Sequence, residues 1–340
     1  MAPTGPRHRV LQLHPTRRCN LRCVHCYSLS GPEERGELDA ALLRRVLDDA
    51  AAEAFNVAGF SGGEPTLYRP LAELLAHAKS VGLTTTVTTN GMLLTRRLLG
   101  ELAGLVDVLA ISLDGPPESH NAMRASPLAF SKMAARLDDV RASGIPFGFI
   151  FTLTQHNLDE LDWVARFALD AGASLLQIHP LEEVGRAREL LAGQRPDAVE
   201  SAWAHLEAAR IAEVANGRLR VQLDVVDARV LAADAARVFA AGAPPEAAPL
   251  AEVVSPLVVE PDGTVVPLEF GFPRRFALGN LHEDGLRALG RRWRRKRLGQ
   301  FLALCRAVHT ELVDGDGLPF ANWYDAVAER AAVSAAELVR

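Results

Sequence analysis

Three of the four cysteines lie close together, in the segment CNLRCVHCYS that runs from Cys19 to Ser28. Their spacing is C-x3-C-x2-C, and thiolates spaced in this way can fold around one soft metal centre. Three thiols cannot all close into disulfide pairs, and a structural zinc site needs four ligands. An iron–sulfur cube has four irons, so three cysteines would leave one iron open to a ligand from outside the protein.

Two alternatives compete with the iron–sulfur interpretation at this point. The first is a zinc site in which His25 or a distant residue supplies the fourth ligand. The second is that the thiols are ordinary buried packing residues. The polar neighbours Arg18, Asn20 and Arg22 do not favour that second alternative, because packing cysteines usually lie in apolar surroundings.

The composition is that of an ordinary globular protein. The chain has 340 residues, of which 49% are hydrophobic and 23% are charged. A net charge of −5 does not favour nucleic acid as a partner. No apolar run approaches the roughly 18 residues that span a membrane, and the N-terminus lacks the apolar core of a signal peptide. We therefore expect a cytoplasmic protein with no membrane partner.

The hydrophobic pattern predicts an α/β fold. Six apolar strands alternate with amphipathic helices between residues 9 and 180, and one helix shows the stripe Leu71, Leu74, Leu75 and Ala78. Strands that are apolar throughout suit a parallel sheet covered by helices. Because six units are fewer than the eight of a closed barrel, residues 1–220 are predicted to form a partial (β/α)6 TIM-like barrel.

The pattern changes in the C-terminal third, and residues 221–340 are predicted to form a small α+β domain. A hairpin is expected around Asp262-Gly263, and one basic helix from Leu286 to Val308. The stretch from Ala243 to Pro249 has the composition of a linker. The basic run from Arg291 to Arg297 predicts either a solvated helix face or a surface that binds an acidic partner.

Residues that could carry chemistry follow each predicted strand. In parallel sheets, functional residues collect at the carboxyl ends of the strands, so these residues should share one rim. In strand order they are His14 with the cysteine segment, Gly62-Gly63-Glu64-Pro65, Thr89-Asn90-Gly91, Ser112 to Gly115, Thr152 with Thr154, and His179. His14 and His179 could either be satisfied histidines of this rim or contact a substrate.

In this order the motifs resemble those of the radical S-adenosylmethionine (SAM) superfamily. That family carries C-x3-C-x-Φ-C, with Φ usually aromatic, and here Φ is His25. Its GGEP, T-N-G and S-L-D-G motifs have counterparts at Gly62, Thr89 and Ser112. The segment from Ser119 resembles H-x3-R-G, with Ala125 in place of the usual glycine. The resemblance covers roughly residues 8 to 220.

The resemblance implies roles for individual residues. Cys19, Cys23 and Cys26 would hold three irons of one [4Fe–4S] cluster, and SAM would chelate the fourth iron. The remaining positions would bind SAM: Gly62, Gly63, Glu64 and Pro65 at its amino group, Asn90 and Ser112 at its ribose or carboxylate, and the backbone near His25 and Tyr27 at its adenine. Gln177 and Ile178 could line the same pocket, and Arg124 could reach a carboxylate.

The resemblance also implies an activity. The enzyme would cleave SAM reductively at the cluster, and the resulting 5′-deoxyadenosyl radical would abstract a hydrogen atom from a substrate. An external one-electron donor such as flavodoxin or ferredoxin would supply the electron. We expect a role in peptide (RiPP) or natural-product maturation, or alternatively in the conversion of a sugar or another small-molecule intermediate. A zinc-binding, non-catalytic protein is the hypothesis from another class.

The C-terminal part resembles the start of a SPASM or twitch domain. Pro261-Asp262-Gly263 and Gly279-Asn280 match that pattern, but Leu268 stands where a cluster cysteine is expected. Only Cys305 remains downstream, and one thiol cannot hold a cluster. The sequence thus predicts a SPASM-like scaffold without auxiliary clusters. Cys305 is predicted to be a buried core thiol, with a role as hydrogen-atom donor as the alternative.

Overall fold

The structure is a computed structural model that describes residues 8–242, 244–315 and 320–337. The described part of the chain contains twelve strands and fourteen α-helices. The strands are β1 (Val10–Leu13), β2 (Val57–Phe60), β3 (Thr84–Thr89), β4 (Val108–Ser112), β5 (Phe147–Leu153), β6 (Leu175–Pro180), β7 (Arg220–Leu223), β8 (Val226–Asp227), β9 (Leu257–Val259), β10 (Thr264–Pro267), β11 (Gly279–Asn280) and β12 (Phe320–Ala321).

One or more helices separate successive strands up to β7, and five further helices follow β7 in the described part of the chain. They are α1 (Ala40–Ala52), α2 (Leu71–Ser80), α3 (Arg96–Leu102), α4 (Pro117–Met123), α5 (Ala129–Ala134), α6 (Leu137–Ser143), α7 (Leu161–Asp170), α8 (Ala187–Leu190), α9 (Ala198–Ala215), α10 (Ala228–Ala233), α11 (Leu250–Val253), α12 (Leu286–Lys296), α13 (Leu298–Asp314) and α14 (Trp323–Glu337). Among the described residues, none of these helices has both the length and the apolar character needed to cross a membrane.

One sheet of ten strands organises the molecule, in the order β11-β10-β9-β1-β2-β3-β4-β5-β6-β7. Strands β1 to β7 are all parallel, and each lies beside its neighbour in the chain. The predicted α/β fold with an open run of six βα units is confirmed. A seventh parallel strand, β7, extends it along β6 and was not predicted.

Burial explains why these segments form strands and helices. All four residues of β2 are buried, as expected for a strand covered on both faces. The stripe predicted on α2 is buried as a unit, since Leu71, Leu74, Leu75 and Ala78 are at most 3% exposed. The side chain of Asp39 accepts a hydrogen bond from the backbone of Leu42 and so caps α1, the helix that ends the cysteine-bearing connection.

Two long helices predicted from the sequence are each interrupted. The segment from Ala129 to Ser143 forms α5 and α6, and the segment from Leu286 to Val308 forms α12 and part of α13. The second break lies at Arg297, whose φ of −130° leaves the helical region. The guanidinium of Arg297 donates hydrogen bonds to the carbonyl oxygens of Arg274 and Ala277, which holds the chain in the broken conformation.

The C-terminal hairpin joins the main sheet. Strand β9 pairs in parallel with β1 and antiparallel with β10, and the predicted turn at Asp262-Gly263 connects β9 to β10. The division predicted at residue 220 stays a prediction, but the sheet crosses it, because β7 begins at Arg220 and pairs with β6. Ala243 of the predicted linker lies outside the described residues, and residues 244–249 contain no helix or strand.

Candidate functional site

The three clustered cysteines lie on the connection between β1 and α1, at the carboxyl end of β1. The backbone N–H of Cys19 donates to the carbonyl oxygen of Gly31 at 3.1 Å, which folds this connection back on itself. Arg186, in the segment after β6, donates from Nε to the carbonyl oxygen of Cys23 at 2.8 Å and from its backbone N–H to that of Cys26 at 3.0 Å. The cysteine loop, which follows β1, is therefore held in place by a residue that follows β6.

The cysteines are shielded from solvent to different degrees. Cys19 and Cys23 are 9% and 8% exposed, whereas Cys26 is half-buried. Burial raises the pKa of the Cys19 thiol to about 12 and raises the pKa of Cys23, although Arg124 opposes the shift at Cys23. Thiolates in such surroundings need a positive partner, and iron binding supplies one because a coordinating thiol loses its proton outright.

The turn after β2 packs directly on the cysteine loop. A Cβ atom on Gly63 would come within 2.2 Å of the carbonyl oxygen of Arg18, and one on Gly62 within 2.7 Å of that of Thr16. Gly62 also has φ of +112°, a conformation that side chains disfavour. The glycines thus permit contact between two backbone segments. Pro65 is buried at the start of a 3-10 helix, where its fixed φ is suitable.

Glu64 joins the ends of β2 and β3 with a buried carboxylate that is 1% exposed. Its Oε1 accepts hydrogen bonds from Thr66 and from the Thr89 hydroxyl at 2.7 Å, and its Oε2 accepts one from the backbone of Asn90 at 2.9 Å. Burial raises the pKa of Glu64, while these hydrogen bonds oppose the shift. Its predicted contact with the SAM ammonium stays a prediction.

Asn90 and Ser112 also lie on this rim. The amide of Asn90 donates to the side chain of Asn20 in the cysteine loop at 2.8 Å, so the turn after β3 is tied to that loop. Ser112 ends β4 and is 8% exposed. The structure brings both residues to the same edge as the cysteines, as the sequence predicts, and their contacts with SAM stay predictions.

A buried ion pair lies next to Cys23. Asp114, which is fully buried, accepts from Nε of Arg124 at 2.6 Å, and Nη1 of Arg124 lies 3.8 Å from Sγ of Cys23. Burial alone would raise the pKa of Asp114, but the positive charge of Arg124, together with His25 and His120, lowers it below its usual range. The carboxylate that Arg124 reaches is thus Asp114, and its guanidinium also places a positive charge beside Cys23, a predicted cluster ligand.

Three aromatic rings meet beside the cysteine loop. The ring of Phe270, which follows β10, lies 5.0 Å from His14 and 5.4 Å from Tyr27 between centroids. The hydroxyl of Tyr27 is 3.3 Å from that of Ser61. The Nδ1 atoms of His14 and His25 are buried without a hydrogen-bond partner among the described residues, and burial lowers the pKa values of these histidines to about 3 and about 4.

At the end of β6, His179 is engaged by two carboxylates. Its Nδ1 lies 2.9 Å from Asp224 and its Nε2 lies 3.2 Å from Glu182. Burial would lower the pKa of His179, but these two carboxylates raise it well above its usual value. The amide of Gln177 donates to Asp224 at 2.6 Å, and Ile178 is fully buried in the core.

Other candidates lie away from this rim. Cys305 is fully buried in the main hydrophobic core on α13, which favours the packing role, and its role as hydrogen-atom donor stays an untested prediction. Much of the basic run is used internally, because Arg294 donates to the carbonyl oxygens of Glu246 and Ala248. A cavity of about 410 Å³ between α1 and residues 281–286 contains none of the predicted site residues.

The residues present fit an iron–sulfur cluster. In such a cluster each thiolate binds a different iron, so the sulfurs need not converge on one point. Among the described residues, no group of three or more His, Cys, Asp or Glu side chains has the arrangement needed to hold a single metal ion. The donor set is three thiols of one loop, the loop is fixed by Arg186, and Arg124 provides a positive charge beside Cys23.

Comparison with known proteins identifies one domain of the chain. The sequence profile of the radical SAM superfamily matches residues 13–168, which include all three clustered cysteines and the turns after β2, β3 and β4. Residues 13–168 are a radical SAM domain. Members of this family use a [4Fe–4S] cluster and SAM, in agreement with the predicted cofactors. The match therefore favours an iron–sulfur cluster over the zinc alternative.

Curated relatives cover different chemistries. The chain is 35% identical to Fe-coproporphyrin III synthase of Methanosarcina barkeri over 154 residues, which are 45% of this chain and 39% of that protein. It is 33% identical to PqqA peptide cyclase of Xanthomonas campestris over 181 residues, which are 52% of this chain and 48% of the cyclase. The chain spans about half the length, or less, of these relatives.

Solved structures with low sequence identity share the fold beyond the radical SAM domain. SuiB of Streptococcus suis bound to S-adenosylmethionine superposes with a TM-score of 0.69 at 16% identity, over 87% of this chain and 68% of SuiB. The protein anSMEcpe with bound AdoMet and Cp18Cys peptide gives a TM-score of 0.64 at 18% identity, over 97% of this chain and 99% of anSMEcpe. The similarity therefore extends into the C-terminal part.

Sequence reasoning missed several residues of the rim. Arg186, Asp224, Glu269 and Phe270 come from segments that the motifs do not cover. Phe270 and Glu269 follow the P-D-G hairpin directly, and that position was the one available signal. Arg186 and Asp224 depend on the pairing of distant segments, for which the sequence carries no local signal.

Proposed function

We propose that the protein is a radical SAM enzyme that cleaves SAM reductively at one [4Fe–4S] cluster and abstracts a hydrogen atom from a peptide or natural-product substrate. Bound at the cluster, SAM would supply a 5′-deoxyadenosyl radical. Cys19, Cys23 and Cys26 would hold the cluster, and Gly62, Gly63, Glu64 and Asn90 would form the adjacent SAM site. An external one-electron donor such as flavodoxin or ferredoxin would supply the electron.

One observation carries the proposal: the GGEP turn packs backbone to backbone on the cysteine loop. The close approach of Gly63 to Arg18, together with the hydrogen bond from the Glu64 N–H to the Arg18 carbonyl oxygen at 2.9 Å, sets the two motifs in one rigid unit. A cluster on the loop would therefore lie beside the turn that the family uses for SAM.

The chain's own residues would orient the cofactors and exclude water. Glu64 and Asn90 are buried and hydrogen-bonded, so they enter the site already positioned. Arg124 brings a positive charge to within 3.8 Å of the Cys23 sulfur and would stabilise the thiolate form that binds iron. The apolar rings of Phe270 and Tyr27 cover one side of the loop and limit access of solvent.

The nature of the substrate depends on the part of the chain beyond the radical SAM domain. Similarity in fold to SuiB and anSMEcpe, which were both crystallised with peptides, supports a peptide substrate. A small-molecule substrate is the second candidate, because the first relatives by sequence are a coproporphyrin synthase and heme synthases. The predicted SPASM-like scaffold without auxiliary clusters would favour a redox-neutral outcome.

The proposal is tested by anaerobic reconstitution of the full chain with iron and sulfide. Purified protein should hold about four irons per chain and should release 5′-deoxyadenosine from SAM in the presence of dithionite, as measured by mass spectrometry. Cys19→Ala should lose both properties. Cys305→Ala is the matched control and should keep both, because that thiol lies in the core. A colourless protein that never forms 5′-deoxyadenosine would refute the proposal, and about eight irons would refute the absence of auxiliary clusters.

A further inference from the structure

A group of charged side chains lies where the segment after β6 meets the C-terminal part, and we call it the mouth cluster. It consists of three sets: His179 with Asp224 and Glu182, Arg195 with Asp325 and Glu329, and Glu269. It therefore contains five carboxyl groups and two groups that can carry positive charge. The imbalance is notable because buried carboxylates are normally paired.

Four of the five carboxyl groups have a cationic partner. His179 lies 2.9 Å from Asp224 and 3.2 Å from Glu182, and Arg195 lies 2.6 Å from Asp325. Arg195 also contacts Glu329. Amide groups add further support to Asp224, since Gln177 and Gln222 both donate to it. Each carboxylate of these two sets thus has a cationic partner, but four carboxylates share two cations and the sets keep a net negative charge.

Glu269 is different. Its Oε2 atom is buried and has no hydrogen-bond partner among the described residues. Burial raises the pKa of Glu269 to about 9, and the charges of Glu182, Asp325 and Glu329 act in the same direction, whereas His179 opposes them. At neutral pH the carboxyl group is therefore protonated, although it faces a strongly negative surrounding that would attract a cation.

The mouth cluster adjoins the cysteine loop along two segments. Glu182 lies three residues before Gly185, where a Cβ atom would come within 2.4 Å of the carbonyl oxygens of Cys26 and Tyr27. On the other side, Glu269 precedes Phe270, whose ring contacts Tyr27 and His14. His14 is 2% exposed, and its Nδ1 also lacks a partner among the described residues.

We infer that the mouth cluster binds a positively charged group of the substrate, an ammonium or a guanidinium, and that Glu269 is its principal partner. This inference rests on the proposed function, because it takes the mouth of the sheet beside the cysteine loop as the place where a substrate binds. An incoming cation would displace the proton of Glu269 and pair with the carboxylate. The neutral imidazole of His14 offers an additional acceptor close to the same segment.

The test uses two probes with the same uncharged backbone and the same four side-chain carbons, N-acetyl-lysinamide and N-acetyl-norleucinamide, with the full reconstituted chain; only the lysine probe carries a terminal ammonium. Isothermal titration calorimetry at pH 7 should show that the lysine probe binds about tenfold more tightly, as expected for one charge-assisted hydrogen-bonded contact. Titration in phosphate and in Tris, which differ in ionisation enthalpy, should reveal proton release on binding, because the proton of Glu269 is displaced.

Two variants separate this contact from a general effect of charge. Glu269→Gln should reduce the affinity for the lysine probe about tenfold and abolish proton release. Glu189→Gln removes an exposed carboxylate from the same post-β6 segment and should change neither quantity. Circular dichroism checks that each variant is folded, and the comparison of the two probes on the unmodified chain does not depend on any variant.

Three outcomes would overturn the inference: equal affinity for the two probes, proton release that persists in Glu269→Gln, or displacement of the lysine probe by millimolar Mg²⁺, which would indicate a metal site. Formation of 5′-deoxyadenosine is measured in a separate experiment. Binding of the lysine probe without SAM cleavage would therefore refute the proposed function alone, and SAM cleavage without preference for the cation would refute this inference alone.

Discussion

The surroundings of two carboxyl groups on the same rim shift their pKa values in opposite directions. Asp114, beside Cys23, accepts hydrogen bonds from Arg124 and from the backbone of Thr152, and its pKa is lowered. Glu269, in the mouth cluster, has a buried oxygen without a partner, and its pKa is raised to about 9. The carboxylate beside the cysteine loop has its counter-charge within the chain, whereas the mouth cluster has an excess of acid. This difference indicates where a ligand's charge is needed.

The largest expected effect comes from removing the counter-charge of Asp114. Arg124→Met should lower the free energy of unfolding by about 3–5 kcal/mol, because it leaves the Asp114 carboxylate buried without a counter-charge. Urea unfolding of the apoprotein measures the change. Arg97→Met is the matched control and should cost less than about 0.5 kcal/mol, since Arg97 is exposed on α3 and forms an exposed ion pair with Glu101. Equal losses in both variants would contradict the role given to Arg124.

The second test concerns the carboxylate that joins β2 and β3. Glu64→Gln should lower the free energy of unfolding by about 2–3 kcal/mol, because an amide nitrogen replaces an oxygen that accepts hydrogen bonds. Glu73→Gln on α2 is the control, since its carboxylate is exposed and pairs with Arg44. Urea unfolding of both variants gives the comparison. A loss below about 0.5 kcal/mol would show that Glu64 is not a structural link.

The third test concerns Glu269 in the mouth cluster and measures how stability depends on pH. Because the pKa of Glu269 is raised in the folded state, its contribution to stability is present at low pH and is lost as the pH rises towards about 9. Between pH 6 and pH 8 the free energy of unfolding of the unmodified chain should therefore fall by about 2–3 kcal/mol relative to that of Glu269→Gln, close to the limit of about 1.4 kcal/mol per pH unit for one proton. Parallel pH profiles from urea unfolding would sink the assignment.

The smallest effect is expected at Ala125, next to Arg124. Ala125 has φ of 49° and is exposed at the end of α4, so the turn keeps the left-handed conformation that glycine usually provides. Ala125→Gly should raise the free energy of unfolding by about 0.5–1 kcal/mol, because relief of the left-handed strain exceeds the entropy cost of glycine. Ala122→Gly, within α4, should be destabilising instead. Thermal unfolding of both variants provides the measurement.

Local patterns predicted the part of the fold in which neighbours in sequence are neighbours in space. Strands β1 to β6 and helices such as α2 follow from runs of apolar residues or from helical stripes, and the motifs after β1 to β4 placed the cysteines, Glu64, Asn90 and Ser112 on one rim. Strand β7 was missed because RVQL is short, and half of its residues are charged or exposed. The break at Arg297 depends on carbonyl oxygens some twenty residues away.

Local sequence patterns could not predict the mouth cluster, for a different reason. Its carboxyl groups lie in the segments that follow β6, β7 and β10 and on α14, and no sequence period connects them. Their shared environment depends on the position of the C-terminal part over the end of the sheet, which only the assembled fold determines. The prediction that His179 either is satisfied or contacts substrate was resolved in part, since Asp224 and Glu182 already engage it.

The pairing of β9 with β1 has a consequence for how the protein is made. Leu11, on the strand that leads into the cysteine loop, pairs with Leu257. During synthesis from the N-terminus, that edge of β1 stays bare until residues 257–259 have left the ribosome, and an unpaired strand edge is a site of misassociation. The cysteine loop is thus translated early, but the strand that leads into it gains its partner β9 late, and a prematurely ended chain would leave that strand edge exposed.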